Sequence, residues 1–367
     1  MIWFTLAPRA AVSLNSEQTY LNSEGSRHLW RQPERVSPLG QDEHETLETL
    51  FRNVDLSIAQ RQLIGCYHTN GPGRKPRNPL GILRALLIMR LKGIRSLREL
   101  TRILDIDSRL RRLCLIQKDE RGYTRSVISR FTKRVGAEKL QLIIEEKVIL
   151  LLRRSKVEDV DVLLDASFIK ARSIRHPDDG RRGFSDANAM VGRNGRFYGL
   201  GYKLHVAVDH RSVLPLATLL APANDNEKKH GPSLIERTRE ILGRAGARLR
   251  SLVADSQYSS RKMRCLVEDS VIPYTSNQRG GDVLRVDRRF RTYGPAGLVV
   301  EYHKRPLVES VFSFLKDQYG LRVNNVRGLV NVGVYALLSL LCHVLGGEAA
   351  ENVGGPDKAL SPTFFNT

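Results

Sequence analysis

The feature that most constrains this fold is the order of apolar segments after residue 157. Short runs rich in β-branched residues predict strands, and longer runs with apolar residues every three or four positions predict helices. Strands are predicted at 160–165, 197–208, 213–220, 249–255 and 271–275. Helices are predicted at 231–242, at 260–268 and from Pro306 onward. Three strands in succession, followed by strands that alternate with helices, predict an α/β fold whose mixed sheet is flanked by helices.

The chain before this sheet has a helical periodicity. Apolar residues recur at helical spacing from about residue 45, and a Gly/Pro-rich basic break at 71–79 ends with Pro79 at the start of a second strong helix. Ser96 and Glu99 have the spacing of a capping box at a third helix start. Further helices are predicted at 126–135 and 137–154. We therefore expect an all-helical region ahead of the sheet.

These patterns divide the chain into four parts. We predict a poorly ordered arm at 1–43, a helical domain at 44–155 whose Lys and Arg content suggests contact with DNA, a domain built around the mixed sheet at 156–347 and a disordered tail at 348–367. The arm and the tail are polar or small in composition and lack periodicity. The most apolar run, 332–345, is too short to span a bilayer, so it is predicted to be a buried core helix.

The charge of the chain favours a polyanionic partner. The 59 Lys and Arg residues outnumber the 39 Asp and Glu residues, which gives a net charge of +20. Nucleic acid is the first candidate partner for such a surface, ahead of an anionic membrane. The four cysteines are far apart and form no C-x-x-C pair, so neither a zinc knuckle nor a redox motif is supported. Residues 1–11 lack the basic start of a signal peptide.

Three carboxylates stand out as candidate metal ligands. Asp165 and Asp255 each follow an apolar strand, and Glu309 lies in the helix near the end of the chain. Carboxylates at strand ends project from the rim of a sheet, where binding crevices form. Two hard cations held by such groups can drive phosphodiester displacement. Four other acidic residues compete on position alone: Asp161, Asp186, Asp209 and Asp225. Asp209, directly after the second strand, is the strongest rival.

The helix that carries Glu309 also carries cations and a phenol. Its apolar residues fall at i, i+3, i+4 and i+7 from Val308, and Glu309 and Lys316 are two turns apart on a neighbouring stripe. Tyr302 and Arg305 project to the same side if the approach to the helix is itself helical. Pro306 opposes this, because a residue before proline disfavours the α region.

Tyr302, Arg305, Glu309 and Lys316 match the Y-(2)-R-(3)-E-(6)-K signature, and the chain resembles bacterial insertion-sequence transposases of the DDE class. The segments 163–170, 201–209, 253–258 and 272–275 resemble further motifs of that family, and 73–80 is similar to its N-terminal helical domain. The resemblance implies a ribonuclease-H-like mixed-sheet core. It also implies that Asp165, Asp255 and Glu309 are the catalytic carboxylates, in place of Asp209.

The family's chemistry sets the remaining expectations. Asp165, Asp255 and Glu309 are expected to hold two Mg²⁺ ions, with Mn²⁺ as a substitute, for cleavage at the element's ends and transfer of the 3′-OH to target DNA. The partners implied are double-stranded DNA, as terminal inverted repeats and target, and a second copy in a homodimer. A cytoplasmic protein associated with a bacterial or archaeal nucleoid is expected, with no membrane partner.

Several roles stay open in the sequence. Tyr302, Arg305 and Lys316 are expected to contact DNA phosphates, although Arg305 and Lys316 could instead pair with Glu309. His205 lies in an alternating strand and is expected to be structural. A catalytically silent DNA-binding repressor and a ribonuclease-H-like nuclease that cuts without joining are the alternative functions.

Overall fold

The computed structural model describes residues 39–67, 75–173, 185–195, 197–267, 269–273, 302–322 and 325–355. The helices before the sheet are α1 Gln41–Arg52, α2 Ser57–Ile64, α3 Pro79–Leu91, α4 Leu97–Ile106, α5 Ser108–Leu113 and α6 Arg125–Ser155. The strands are β1 Asp159–Lys170, β2 Met190–Asn194, β3 Phe197–Asp209, β4 Pro215–Pro222, β5 Arg248–Ala254 and β6 Asp269–Val271. The later helices are α7 Glu227–Ala245, α8 Arg261–Leu266, α9 Pro306–Ser313 and α10 Leu329–Gly354.

The helical region follows the local signals in its sequence. The Ser96 hydroxyl accepts a hydrogen bond from the Glu99 N–H at 3.1 Å and so caps α4. Gly136, with φ of +65°, interrupts α6 between the two helices predicted there. A positive φ is costly for residues with a Cβ, so glycine allows the second half of α6 to change direction.

The sheet is mixed, in the order β2-β3-β1-β5-β6, and β4 pairs with β3. β1 is antiparallel to β3 and parallel to β5, and β6 continues the parallel side. The predicted mixed sheet flanked by helices is therefore confirmed. β2 was not predicted, and α7 begins four residues before its predicted start.

Strand β1 is longer than predicted. It was expected to end at Asp165 but continues to Lys170. The reason lies in its two neighbours: pairing with β5 stops at Leu164–Ala254, whereas pairing with β3 continues to Lys170–Gly201. Among the described residues, the outer half of β1 therefore has a backbone partner on the β3 side only.

Helix α10 lies in the core. It packs against α1, α3, α6 and β4. Among the described residues it is the one helix long and apolar enough to cross a membrane, but 83% of its most apolar stretch is buried inside the protein. The prediction of a buried core helix at 332–345 is confirmed.

The predicted tail is partly helical. Helix α10 continues to Gly354, so a disordered tail starting at 348 is wrong for its first seven residues. The reason is burial: Glu348 pairs with Lys147 at 2.7 Å, and both side chains are almost fully buried. The predicted tail after residue 355, and the predicted arm up to residue 38, lie outside the described residues. Helix α1 begins at Gln41, two residues before the predicted arm ends.

Candidate active site

The register of the sheet brings Asp165 and Asp255 together. Leu164 of β1 pairs with Ala254 of β5 in the parallel ladder, so the next residues of the two strands are these two aspartates. Paired strands are about 4.8 Å apart. Asp255 caps the short 3₁₀ turn that follows β5 by accepting the Ser256 N–H at 2.6 Å. The first two predicted carboxylates are therefore neighbours at the carboxyl end of the parallel ladder.

Arg305 joins the third carboxylate to the first. Its Nη1 donates to Oδ2 of Asp165 at 2.7 Å, and its Nη2 donates to Oε1 of Glu309 at 2.6 Å. Arg305 has α-helical backbone angles although Pro306 follows it, so the approach to α9 is helical. Asp165 and Glu309 therefore lie on either side of one guanidinium group.

Tyr302 lies beneath this group. The guanidinium carbon of Arg305 is 6.0 Å from the centre of the Tyr302 ring, a distance at which a cation and an aromatic ring attract. Tyr302 is 5% exposed. In this conformation its ring supports Arg305 and presents almost no surface to DNA.

Lys316 is not brought to the carboxylates. The helix changes after Ser313 to a π-helical segment, Phe314–Gln318, whose hydrogen bonds close wider turns. Lys316 instead lines a cavity beside Arg90 and Arg322. Of the four signature residues, Tyr302, Arg305 and Glu309 therefore form one group, while Lys316 faces a separate cavity.

Two further side chains that the sequence did not single out, Glu227 and Lys203, lie near Asp165 and Asp255. Glu227, at the start of α7, is 7% exposed and pairs with Lys203 of β3 at 2.9 Å. Burial raises the pKa of Glu227, against the lowering effect of Lys203, and the charge of Asp255 raises it further. The signal for Glu227 was weak, because an acidic residue after Asn226 is what an ordinary helix start contains.

Burial dominates the electrostatics of Asp165. It raises the pKa of Asp165 to about 7 against the lowering effect of Arg305, and the charges of Asp255 and Glu227 raise it further. Burial opposes the charge of Arg305, but Asp165 and its other acidic neighbours raise the pKa of Arg305. The 2.7 Å contact has the geometry of an ion pair. We therefore assign a charged pair above pH 7 and a neutral Asp165 well below it.

The competing aspartates have other partners. Asp161 pairs with Arg250 and accepts a hydrogen bond from Ser251. Asp209 accepts hydrogen bonds from Arg211 and Ser212 in the turn after β3. Asp186 accepts from the Tyr202 hydroxyl at 2.8 Å, and Asp225 pairs with His230 at 3.0 Å. Turn formation and ion pairing therefore account for all four.

His205 is enclosed in the core of the sheet. It is fully buried, and its Nδ1 is 2.6 Å from the hydroxyl of Tyr258. Burial lowers the pKa of His205 to about 3, and His230 and Lys203 lower it further. A ring that stays neutral and packs edge-on against Tyr258 fits a structural role.

The comparison with protein families decides the identity. A family described as "Transposase DDE domain" matches residues 157–345, a little over half of the chain. The chain belongs to the DDE transposases. A second family, "Transposase domain (DUF772)", matches residues 36–134, which contain α1 to α5. The predicted insertion-sequence DDE transposase, its ribonuclease-H-like fold class and its function as an enzyme of DNA transposition are confirmed.

Among solved structures, this transposase is similar to three DNA-transposing enzymes. The piggyBac transposase synaptic complex with hairpin DNA has 11% identity and a TM-score of 0.43, over 90% of this chain and 80% of that one. The Drosophila P element transposase strand transfer complex has 11% identity and a TM-score of 0.31, over 88% and 70%. The Mos1 mariner paired end complex with Mn has 15% identity and a TM-score of 0.20, over 74% and 98%. Scores this low support no further statement about this chain. No curated protein sequence matches it.

The donor set of this DDE transposase fits divalent metal ions in its chemistry. Carboxylate oxygens from the buried Asp165 and the half-buried Asp255, close enough for their charges to interact, are what a hard cation prefers. The geometry is not closed around an ion: in the part of the chain that the structure describes, no three acidic, histidine or cysteine side chains cluster as a metal site. Arg305 occupies the space between Asp165 and Glu309. Binding one ion through both Asp165 and Glu309 requires the Arg305 guanidinium to move away.

Proposed function

We propose that this transposase cuts DNA at the ends of an insertion sequence and joins the freed 3′-hydroxyl to target DNA, with Asp165, Asp255 and Glu309 as its catalytic carboxylates. The observation that carries the proposal is the adjacency of Asp165 and Asp255 at the end of the parallel ladder, with Glu309 linked to Asp165 through Arg305. Strand pairing brings together two residues that are 90 positions apart in the sequence.

The same three carboxylates would hold two Mg²⁺ ions, and Mn²⁺ would replace them. When bound, such ions stabilise the attacking and leaving oxygens of an in-line phosphodiester displacement. The residues of the chain do the rest. Asp165 accepts the Ala166 N–H at 2.8 Å and Asp255 accepts the Ser256 N–H, so both carboxylates are oriented by backbone donors. Arg305 balances the charges of Asp165 and Glu309 until DNA arrives.

Arg305 then has a second role in this proposal. Its guanidinium can exchange the two carboxylates for a DNA phosphate, since both are anions with paired oxygens. Such an exchange frees Asp165 and Glu309 at the moment when the substrate is in place. Tyr302 guides the guanidinium by stacking, and Lys316 contacts a phosphate farther along the strand.

The partners proposed are terminal inverted repeats, target DNA and a second copy of the chain. Two element ends must meet before transfer, which a homodimer provides. The helical region, 44–155 in the predicted division, is proposed to bind DNA ahead of the catalytic domain at 156–347. The protein is proposed to act in the cytoplasm at the nucleoid.

The test uses labelled DNA from the flanks of the gene that carries the element's ends. Wild type is compared in Mg²⁺ with Asp165→Asn and with Asp159→Asn, a control with the same charge change on the same strand. Asp159 pairs with Arg248 at the distant end of β1. We expect wild type and Asp159→Asn to nick and join, and Asp165→Asn to bind DNA without nicking.

Each other result has a meaning. Binding without nicking by wild type supports a repressor, and nicking without joining supports a nuclease. Nicking by Asp165→Asn refutes the carboxylate assignment. A separate readout is Mn²⁺ binding by electron paramagnetic resonance, in which Asp165→Asn is expected to bind Mn²⁺ more weakly than Asp159→Asn does.

A further inference from the structure

A cationic cavity lies between the helical region and the π-helical segment that follows α9. It has a volume of about 260 Å³, and its walls come from the end of α3, the loop after it, the π-helical segment with its following turn, and α10. Its charged lining residues are Arg90, Arg95, Lys316, Arg322 and Asp317. Four cations therefore face one carboxylate.

Arg90 is the unusual member of this set. It is 6% exposed, although arginine is almost never fully buried unless it is paired. Its Nε donates to the Ser339 hydroxyl at 3.0 Å, and its guanidinium lies 5.6 Å from the centre of the Tyr335 ring. Among the described residues no carboxylate pairs with it. Burial lowers the pKa of Arg90 to about 10.

The turn after the π-helical segment lies against this guanidinium. Gly320 has a φ of +63°, and a Cβ placed on it would lie 3.5 Å from the guanidinium carbon of Arg90. Ser339, the hydrogen-bond partner of Arg90, donates in turn to the Tyr319 carbonyl at 2.9 Å. Arg90 is therefore held in place by neutral groups, which fix its position without neutralising its charge.

The one carboxylate in the cavity already has partners. Asp317 accepts hydrogen bonds from Arg322 and from the Ser313 hydroxyl. Lys316 is half-buried, and in the described part of the chain its side-chain ammonium makes neither an ion pair nor a hydrogen bond. Burial lowers the pKa of Lys316, and the nearby Arg322 lowers it further. The positive charges of Arg90 and Lys316 are therefore not balanced by a carboxylate of the cavity lining.

We propose that this cavity binds one phosphodiester group of the DNA backbone, with Arg90 and Lys316 as its ligands. Arginine forks and lysine ammonium groups are the usual donors to phosphate oxygens. Arg90 lies on α3, and Lys316 follows Glu309 of α9 by seven residues. One phosphate bound by both would therefore connect the helical region to the helix that carries Glu309. The inference rests on the proposed function in one respect, that the anion belongs to the substrate DNA.

The spacing fits a single strand. From Glu309 to Lys316 the chain advances seven residues through α9 and the π-helical segment. At an α-helical rise this is about 10 Å, which corresponds to about three nucleotides along a DNA strand. A phosphate held in the cavity would therefore lie near the carboxylates without being the one that reacts. Such a contact positions the strand and carries no sequence information.

The first test measures how DNA affinity depends on salt. Wild type, Arg90→Met and Arg90→Lys are compared with Arg98→Met, a control that removes an exposed arginine from neighbouring α4. Loss of one phosphate contact is expected to reduce the slope of log affinity against log salt by about 0.9. We expect this change for Arg90→Met, a smaller change for Arg90→Lys and a smaller one still for Arg98→Met.

The second test replaces single phosphates of the element-end DNA by neutral methylphosphonates. At one position the replacement should weaken binding to wild type about tenfold and weaken binding to Arg90→Met much less, because only Lys316 still contacts that phosphate. Absence of such a position overturns the proposal. Stabilisation of wild type by inorganic phosphate alone, without coupling to DNA, also overturns it and indicates a free anion as the ligand.

Two controls keep the outcomes separate. If Arg90→Met does not fold, Lys316→Met takes its place, because Lys316 is less buried and is expected to show the same coupling. Binding is measured without divalent metal, so a failure to nick or join DNA tests the proposed function alone. Coupling to one phosphate would survive that failure.

Discussion

Replacing Arg305 by methionine should destabilise the metal-free protein in a way that depends on pH. The Arg305 and Asp165 side chains are 17% and 12% exposed, so the variant leaves a buried carboxylate without its cation. Removing one partner of a buried ion pair costs about 3 kcal/mol or more. The contact with Glu309, which is 54% exposed, contributes less than about 1 kcal/mol. We therefore expect a loss of about 3 kcal/mol at pH 8.5.

The sign of the pH dependence follows from Asp165. Its pKa is raised from 3.8 to about 7 in the folded protein. Between these values the folded state binds more protons than the unfolded state, so the free energy of unfolding falls as pH rises. Loss of Arg305 raises this pKa further. The variant should therefore lose only about 1 kcal/mol at pH 5.5, where Asp165 is neutral, and the full amount at pH 8.5.

Urea denaturation in the presence of a chelator measures the free energy of unfolding of wild type and variant at pH 5.5 and pH 8.5. The double variant Arg305→Met with Asp165→Asn should recover most of the loss, because it no longer buries an unpaired charge. Glu309→Gln is the control and should change the free energy of unfolding by less than about 1 kcal/mol. Equal losses at both pH values, or no recovery in the double variant, would refute the reasoning and show that Arg305 acts by packing on Tyr302.

Three further predictions concern stability and are measured by urea denaturation. Glu348→Ala leaves the buried Lys147 ammonium without its carboxylate and should cost about 3 kcal/mol at pH 7; no loss would mean that water reaches Lys147. Burial alone would raise the pKa of Asp161, but hydrogen bonds lower it to about 2, so Asp161→Asn should cost about 2 kcal/mol at pH 7. That cost should vanish as the pH falls from 3.8 to 2, and a constant cost would contradict it. Gly136→Ala should cost about 1 kcal/mol because φ is positive, whereas Gly243→Ala within α7 should stabilise by about 0.5 kcal/mol. The same sign for both would exclude the backbone explanation.

The sheet and the adjacency of Asp165 and Asp255 could be predicted from local patterns in the sequence, whereas the choice of these two over Asp209 came from the resemblance to the DDE transposases. A β-branched run followed by Asp occurs twice, and parallel pairing of the two runs makes Asp165 and Asp255 neighbours. The length of β1 was not accessible in this way. It depends on which neighbouring strand continues past Asp165, and that is a property of the assembled sheet.

Other parts of the site depend on contacts that leave no local signal. Glu227 follows a helix-capping asparagine, so its burial against Lys203 cannot be distinguished from an ordinary helix start. The π-helical segment has no sequence signature, and without it Lys316 was expected on the stripe of Glu309. Pro306 disfavours the α region for Arg305, yet Arg305 is α-helical and forms ion pairs with Asp165 and Glu309, contacts that the sequence does not reveal.

The position of α10 has a consequence for synthesis of the protein. Helices α3 and α6 leave the ribosome first, yet both bury apolar faces against α10, which begins about 190 positions after the middle of α6. A nascent chain that ends before Leu329 therefore lacks the element that closes its helical region. Prematurely terminated products should be unfolded and cleared by proteases, so they cannot compete with the full-length enzyme for DNA.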